Sequence, residues 1–301
     1  MRAFVLHNPA AGNMRRDWPP IAAALKTVFP RFAGMACPGR GQAARLVRDA
    51  LREGHTEIVV VGGDGTINEA VNGFFEQGAP LSPEAVLNIV CVTEGDIAQG
   101  RQTGVTAALA LARLDARPRD LGHVSCVTAD GKAVTRFFLN AASFGITGDM
   151  ARRRNRARIL PLLGEGLARR TGEAAALLAW RGCRVRLMAD HGQDEIAGIA
   201  AVGVLNGTHF AGMKATPSAN AVDGQFDIAI LGGAKRGGIA RAMARLRRGE
   251  EAGQRLWRSS RLTAAPTLDT SRPVLVETDG EAVGQLPASF EIAPGAIRIR
   301  G

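Results

Sequence analysis

The sequence predicts two folds in tandem: an α/β, Rossmann-like N-terminal domain and a mainly antiparallel β C-terminal domain. Three observations carry this. Apolar strand-like runs alternate with helical patterns over roughly the first 120 residues. One run, Ile58 to Val61, breaks into Gly62-Gly63-Asp64-Gly65 and then opens a helical pattern at Thr66, with Ile67, Ala70, Val71 and Phe74 at helical spacing. After about residue 120 short β-like segments dominate, and Asp130-Gly131 between apolar runs signals a hairpin. The expected domains are 1–122 and 123–301, with the last strands able to return toward the first domain.

Each element has a local reason. Residues 3–7 form an apolar strand, followed by the turn-forming loop Asn8 to Asn13. A helix is expected over 19–28, with Pro19 near its start, and a strand over 32–36. Gly41 to Glu53 is amphipathic: Ala44, Leu46, Val47, Ala50 and Leu51 share one face, and Arg45, Arg48, Asp49 and Arg52 the other. A strand over 57–61 leads to a helix over 66–76, a strand over 85–92 to a helix over 105–114. This alternation argues for a parallel sheet whose ligands sit beyond the carboxyl ends of the strands, where the loops 8–13, 62–66 and 93–98 can line one crevice. In the second half, a helix over 159–180 and a basic helix over 236–249 interrupt strands at 182–188, 196–205, 226–231, 274–278, 288–293 and 296–300.

Composition narrows the classes. The 301 residues are 46% hydrophobic and 22% charged, as in a soluble globular protein. No run of 18 apolar residues and no secretory signal pattern are present, so a cytoplasmic location, at most peripheral to the inner face of the membrane, is expected. Cysteines 37, 91, 126 and 183 are scattered, which suits a reducing compartment and argues against zinc or disulfides. A net charge of +10 implies an anionic partner, while 5% aromatic residues and no tyrosine argue against nucleic acid. Two basic stretches stand out. Arg152, Arg153, Arg154, Arg156 and Arg158 form a dense run, and Arg236, Arg241, Arg245 and Arg248 oppose Ile239, Met243 and Leu246. Either is a solvated or packed helix face, or a contact for anionic lipid headgroups.

The glycine turn carries the first chemistry. Glycine lets backbone N–H groups approach an oxyanion without a Cβ in the way, and a helix N-terminus adds unpaired donors. Gly62, Gly63, Gly65 and Thr66 therefore read as a phosphate cradle.

The chain resembles the diacylglycerol kinase catalytic family, which includes bacterial lipid kinases and sphingosine kinases. Asn8-Pro9-Ala10-Ala11-Gly12 is similar to its N-P-x-[AS]-G loop, and Gly62 to Gly73 reproduces G-G-D-G-T-x-N-E-x-x-N-G. Leu139 to Gly145, Asn206 to Lys214 with Pro217, Asp223-Gly224-Gln225-Phe226-Asp227 and Asp279-Gly280-Glu281 resemble later family segments. One loop departs: where the family has P-x-G-T-x-N-D-x-A, this chain has Val90-Cys91-Val92-Thr93-Glu94-Gly95-Asp96-Ile97-Ala98. Val92 and Gly95 stand in place of a glycine and an asparagine, which puts a side chain where backbone is expected to approach phosphate.

The resemblance implies ATP and Mg²⁺ as cofactors, bound in a cleft between two domains, and a hydroxylated lipid substrate at a membrane surface. Asn8, Asp64, Asn68, Glu69 and Thr93 join the cradle as nucleotide contacts, with an Asx turn open for Asn8, capping open for Asn68 and Glu69, and a helix cap open for Thr93. Asp64, Asp96 and Asp279 are the carboxylates expected around magnesium, with an N-cap role open for Asp96. Asp279 and Glu281 are the candidate catalytic bases, the two left unseparated, in a strand or a turn. A second, structural metal is implied at Asp223, with Asn220 and Gln225 carbonyls; a metal-free turn stays open. Two other functions stay open: a degenerate member that binds nucleotide or lipid with little turnover, and a kinase of a soluble hydroxylated substrate resembling NAD kinases. Oligomerisation is left open.

Overall fold

Five parallel strand segments carry the first half of the fold. In a computed structural model of the chain, residues 2–39, 41–93, 95, 97, 98, 101–157, 165–210, 213, 214, 216, 219–233, 235–250, 252–270 and 272–301 are described. Contacts divide the chain into two compact units: Met1–Leu121 with Pro294–Gly301, and Gly122–Ala293. The elements of the first unit run β1 (Ala3–His7), α1 (Met14–Val28), β2 (Phe32–Ala36), α2 (Gln42–Arg52), β3 (Glu57–Gly62), α3 (Asp64–Gly73), the short pair β4 (Phe75–Glu76) and β5 (Ala79–Pro80), β6 (Val86–Cys91) and α4 (Gly104–Ala110). β1 pairs in parallel with β2 and β3, β3 with β6, and β6 with Arg298–Arg300 from the end of the chain.

Side-chain alternation then sorts the helices. Val5, Val59, Val61 and Val90 share a cluster with Ile21, Ala24 and Leu25 of α1 and Ala107 and Ala108 of α4. The buried Leu46, Val47 and Ala50 of α2 and Ile67, Ala70 and Val71 of α3 belong to a second helix pair. Gly73 lets that pair close: a Cβ there would lie 2.6 Å from the Ala44 carbonyl and 2.8 Å from Val47 Cβ. The final glycine of the long motif is thus a packing residue.

Two helix starts differ from expectation. α1 begins at Met14, five residues before Pro19, and holds Pro19 and Pro20 inside it. Both prolines are exposed, so water can replace the two missing helix bonds, while Met14 is buried in the core. α3 begins at Asp64, because Ile67 N–H already bonds to Gly63 carbonyl; Thr66 lies inside the first turn and is buried.

The second unit contains β7 (Arg117–Val127), which starts in the first unit, then β8 (Ala133–Phe138), β9 (Ala141–Gly145), α5 (Ile146–Ala157), α6 (Glu165–Ala179), β10 (Cys183–Ala189), β11 (Asp194–Leu205), β12 (His209–Phe210), β13 (Met213–Lys214), β14 (Phe226–Gly232), α7 (Arg236–Arg247), β15 (Arg255–Ser259), β16 (Arg261–Pro266), β17 (Leu275–Thr278) and β18 (Glu281–Arg300). The expected hairpin forms, with Val124 opposite Arg136 and Val127 opposite Ala133. Antiparallel pairing closes on itself through β9, β17, β18, β16, β10, β11 and back to β9. Closure removes free edges from those strands. β11 makes it feasible by pairing with β10 early and β9 late, with an irregularity between Ile199 and Ala201. Phe138, Phe144, Phe226 and Phe290 fill the interior, and Ile239, Met243 and Leu246 of α7 pack with Ala200, Ala201 and Leu205 of β11 on the other face. The apolar side of the basic helix is therefore packed. β9, α5, β15 and β16 were not expected. β15 and β16 interleave arginine with apolar residues and so show no clean apolar run. Among the described residues no helix is long and apolar enough to cross a membrane.

One buried ion pair ties the chain's end to the first sheet. Arg300 Nη1 donates to Glu57 Oε2 at 2.9 Å and to Asn88 Oδ1 at 2.9 Å, and Asn88 Nδ2 donates to Glu57 Oε2 at 2.8 Å. Glu57 is 3% exposed. Removing one partner of such a pair strands a buried charge. Glu57→Ala is expected to lower the chemical-denaturation midpoint, at a cost of about 3 kcal/mol; a change below a tenth of that would contradict the buried-charge account.

Candidate functional site

In the first unit, three loops meet at the carboxyl ends of β1, β3 and β6. Asn8 N–H continues the ladder to Val61 carbonyl at 3.0 Å. Its side chain works in two directions: Oδ1 accepts Ala10 N–H at 2.9 Å, an Asx turn, and Nδ2 donates to Thr66 Oγ1 at 2.8 Å. The first loop is thereby tied to the glycine turn. Gly12, at φ +55°, comes so close to the third loop that a Cβ would lie 3.0 Å from Val92 carbonyl. Gly62 is pressed against Thr66, whose Cβ would be 2.8 Å from an added Cβ, and Gly63 against Thr93, whose Oγ1 would be 2.5 Å away. The N–H groups of Asp64, Gly65 and Thr66 belong to the first turn of α3 and have no acceptor within the helix. The threonine side chains take the space beside both glycines, and the first-turn N–H groups of α3 lie next to them.

The departing loop folds onto this group. Val92 packs with the cluster of Ala3, Val5, Ile21 and Val90. Its side chain thus belongs to the core, contrary to the expectation that it would stand toward a phosphate. Gly95 approaches the Asp64 carboxylate so closely that any Cβ would overlap both oxygens, and Asp64 Oδ2 accepts Ile97 N–H at 3.4 Å. The small residue where the family has asparagine is what lets the loop lie against Asp64. Cys91, 1% exposed beneath this loop, has its thiol pushed up to about 11 by burial, with Arg101 opposing and Asp64 adding to the shift. Glu94 and Asp96 lie outside the described residues.

Asn68 and Glu69 lie in the first turns of α3. Asn68 is buried, and its carbonyl accepts Asn72 Nδ2 at 2.9 Å. Glu69 Oε1 and Oε2 accept Gly41 and Ala43 N–H at 2.8 and 3.2 Å, capping the N-terminus of α2 from outside. Of the two roles expected for Glu69, the structure shows this carboxylate capping α2.

In the second unit, three sequence motifs build one group. Asp279 and Gly280 have φ of +43° and +84°, so Asp279-Gly280-Glu281 is a turn between β17 and β18. Asp279 Oδ1 accepts the N–H groups of Asn140 and Ala141 at 3.0 and 2.9 Å, and Oδ2 accepts Leu139 N–H at 2.8 Å. Asp279 N–H returns a bond to Ala141 carbonyl at 2.8 Å. The Asn206-Gly207 segment joins from the other side: Asn206 Nδ2 donates to Leu139 carbonyl at 2.9 Å, and both backbone N–H groups donate to Asn140 carbonyl. Asp279 is thus an anchor with three donors aimed at it, whereas half-buried Glu281 follows on the far side of the turn.

Glu277 completes this group and went unnoticed in the sequence. It is 3% exposed, accepts Gly280 N–H at 2.7 Å and accepts Ser143 Oγ–H at 2.6 Å. Ser143 is in turn 2.8 Å from Thr147 Oγ1. The signal was available: acids at 277, 279 and 281 alternate, so a strand ending in a turn carries them into different surroundings.

The metal expectations divide. Among the described residues no three carboxylate, histidine or cysteine side chains gather in a metal-binding group. Magnesium held by one or two carboxylates, water and substrate phosphates needs no such group, and Asp64 beside the α3 N-terminus fits that use. The first-turn N–H groups of α3, beside these glycines, fit a bound phosphate. The second site does not fit. Asp223 Oδ1 accepts Gln225 N–H at 3.1 Å, and Oδ2 faces Arg258 Nη2 at 2.5 Å. Arg258 Nε also lies 3.4 Å from Asp227 Oδ1, in a carboxyl that burial pushes up, with Arg258 opposing and Asp223 adding. The side chains of Arg154, Arg156 and His209, together with Arg158 and Pro217, fall outside the described part.

Comparison with known proteins places both halves. A family model described as "Diacylglycerol kinase catalytic domain" matches residues 2–122, and one described as "YegS C-terminal NAD kinase beta sandwich-like domain" matches residues 140–301. A Pseudomonas fluorescens protein named "Probable lipid kinase YegS-like" is 29% identical over 86% of this chain and 82% of its own length. A Bacillus subtilis diacylglycerol kinase is 25% identical over 96% of this chain and 92% of its own. A crystal structure of a diacylglycerol kinase from Bacillus anthracis str. Sterne shares the fold, with a TM-score of 0.66 at 18% identity, covering 99% of this chain and 96% of that one.

Two substitutions test the geometry. Asp279→Asn replaces one acceptor oxygen with a donor facing backbone N–H groups; a loss of about 2 kcal/mol is expected by chemical denaturation, and an unchanged midpoint would contradict the anchor. Val92→Gly, which restores the family residue, is expected to cost about 2 kcal/mol by emptying part of the core and to bring no gain in affinity for a fluorescent ATP analogue. A gain in affinity would show that Val92 does obstruct the cradle.

Proposed function

Because this chain belongs to the diacylglycerol kinase catalytic family, with a YegS-type C-terminal domain, we propose that it transfers the γ-phosphoryl group of ATP to a hydroxyl of a diacylglycerol-like or sphingoid lipid. The observation that carries this reading is the glycine turn packed at the α3 N-terminus in one unit and the anchored acidic turn in the other, both in segments that resemble the family's motifs. The names of the relatives support a lipid acceptor.

Phosphoryl transfer demands positioning and charge neutralisation more than covalent chemistry by the protein. Bound ATP–Mg²⁺ supplies the transferred group and offsets the charge that develops on it. The backbone N–H groups in the first turn of α3 would reach phosphate oxygens beside Gly62, Gly63 and Gly65, and the α3 N-terminus favours their negative charge. Asn8 Nδ2 donates to Thr66 Oγ1, which turns the Thr66 hydroxyl proton outward, toward an acceptor. Thr93 closes the cradle over Gly63. Asp64 would hold magnesium at the start of α3, and Asp96 is proposed as a second ligand.

In the second unit Asp279 and Glu277 hold the turn, and Glu281 takes the proton of the acceptor hydroxyl as it attacks. The three backbone donors on Asp279 favour Glu281 as the base. The packing of half-buried Val92 against the core supports nucleotide binding at the altered loop. A net charge of +10 suits a protein that works against anionic lipid headgroups at a membrane surface.

A radiolabelled-ATP assay against vesicles containing diacylglycerols, monoacylglycerols and sphingoid bases is expected to give a labelled lipid. Glu281→Gln is expected to lower kcat by about 10²-fold or more with little change in KM for ATP. No labelled product with any of these lipids, or full activity in Glu281→Gln, would sink the proposal.

A further inference from the structure

We propose that Arg258 is the built-in cation of the Asp223 loop, so that the second unit is complete without the divalent metal its family resemblance implies there. The geometry begins with strand register. β14 and β15 place Asp227 directly opposite Arg258. The arginine stem is thereby held beside Asp227, and its guanidinium extends to the loop that leads into β14. There it meets two carboxylates four residues apart: Nη2 lies 2.5 Å from Asp223 Oδ2 and Nε lies 3.4 Å from Asp227 Oδ1. The remaining Asp223 oxygen, Oδ1, is taken by Gln225 N–H within an Asx turn. Gly224, at φ +71°, gives that turn its left-handed residue.

A guanidinium suits this place. It is planar, carries five donors and stays charged at any pH a protein tolerates, so one side chain can serve two carboxylates. A loop metal would use the Asp223 carboxylate and neighbouring carbonyls. Here the carboxylate already faces a cation on one oxygen and accepts the Gln225 N–H on the other. An incoming divalent ion would have to shed water and displace Arg258 while leaving Asp227, whose side chain is 7% exposed, without its positive neighbour. The exposed end of Arg258 contributes little by itself, since a surface pair is screened; the buried Asp227 end is what makes the arginine necessary.

This inference does not depend on the kinase reading, and its test does not use activity. The full chain is purified, treated with EDTA and desalted. Its metal content is measured by mass spectrometry and its Tm by circular dichroism, in EDTA and in millimolar Mg²⁺ or Ca²⁺ without nucleotide. The wild-type chain is expected to hold no stoichiometric metal and to keep its Tm in EDTA. Arg258→Ala is expected to lose about 3 °C or more in EDTA and to regain part of it with Ca²⁺ or Mg²⁺, a recovery absent in Arg258→Ala/Asp223→Asn. Arg258→Lys, which keeps the charge and loses the fork, is expected to fall between the two. A wild-type chain that carries one metal equivalent, loses Tm in EDTA and shows neither property in Asp223→Asn overturns the proposal. So does an Arg258→Ala variant with the wild-type Tm in EDTA. Should Arg258→Ala fail to fold, the wild-type metal content, the EDTA response and Arg258→Lys still decide.

Discussion

The second unit is held at one point by the Asp279 carboxylate, which gathers three consecutive backbone N–H groups from Leu139, Asn140 and Ala141. Those N–H groups lead into β9 at Ala141, and β9 is the strand that closes the ring between β17 and β11. A carboxylate is suited to the task because it accepts several bonds at once and donates none. Glu277 secures the same turn from behind through Gly280, and Asn206 secures the receiving segment through Leu139. Two left-handed residues in succession, Asp279 and Gly280, persist because these bonds over-determine them. Glu281 is presented by a turn that its neighbours hold rigid.

The first unit reaches rigidity by contact instead. Gly62 touches Thr66, Gly63 touches Thr93, Gly12 touches Val92, and Gly95 touches Asp64. Each glycine removes a side chain so that a neighbour can press on the backbone. The motif's last glycine, Gly73, does this for two helices, and Glu69 caps α2. The long motif therefore mixes two purposes: its beginning packs the glycine turn at the α3 N-terminus, and its end packs α3 against α2.

Much of this was legible in the residues. The Ile58–Gly65 run shows a strand, a turn and a helix start through β-branched residues, glycines and helical spacing, and the parallel sheet follows from the alternation around it. Asp130-Gly131 marked its hairpin. The start of α1 was hidden because Pro19 looks like a first-turn proline when Met14 gives no sign that it will be buried. β15 and β16 were hidden because arginines interrupt their apolar pattern. Glu277 was hidden because burial of an acid depends on partners, Ser143 and Gly280, of which one lies 134 residues away.

By itself the sequence determined the two kinds of sheet and the strand, glycine turn and helix start at 58–66, since local propensity and spacing act over a few residues; it left Asp279-Gly280-Glu281 open between strand and turn. Tertiary structure alone decided what each carboxylate does. Asp279 became an anchor, Glu69 a cap and Asp223 the partner of an arginine, because hydrogen bonds and ion pairs are made with residues 26 to 140 positions away. It also decided which way Val92 points, since facing the core or the loop depends on strand register, and a β-strand turns its side chains over at every residue.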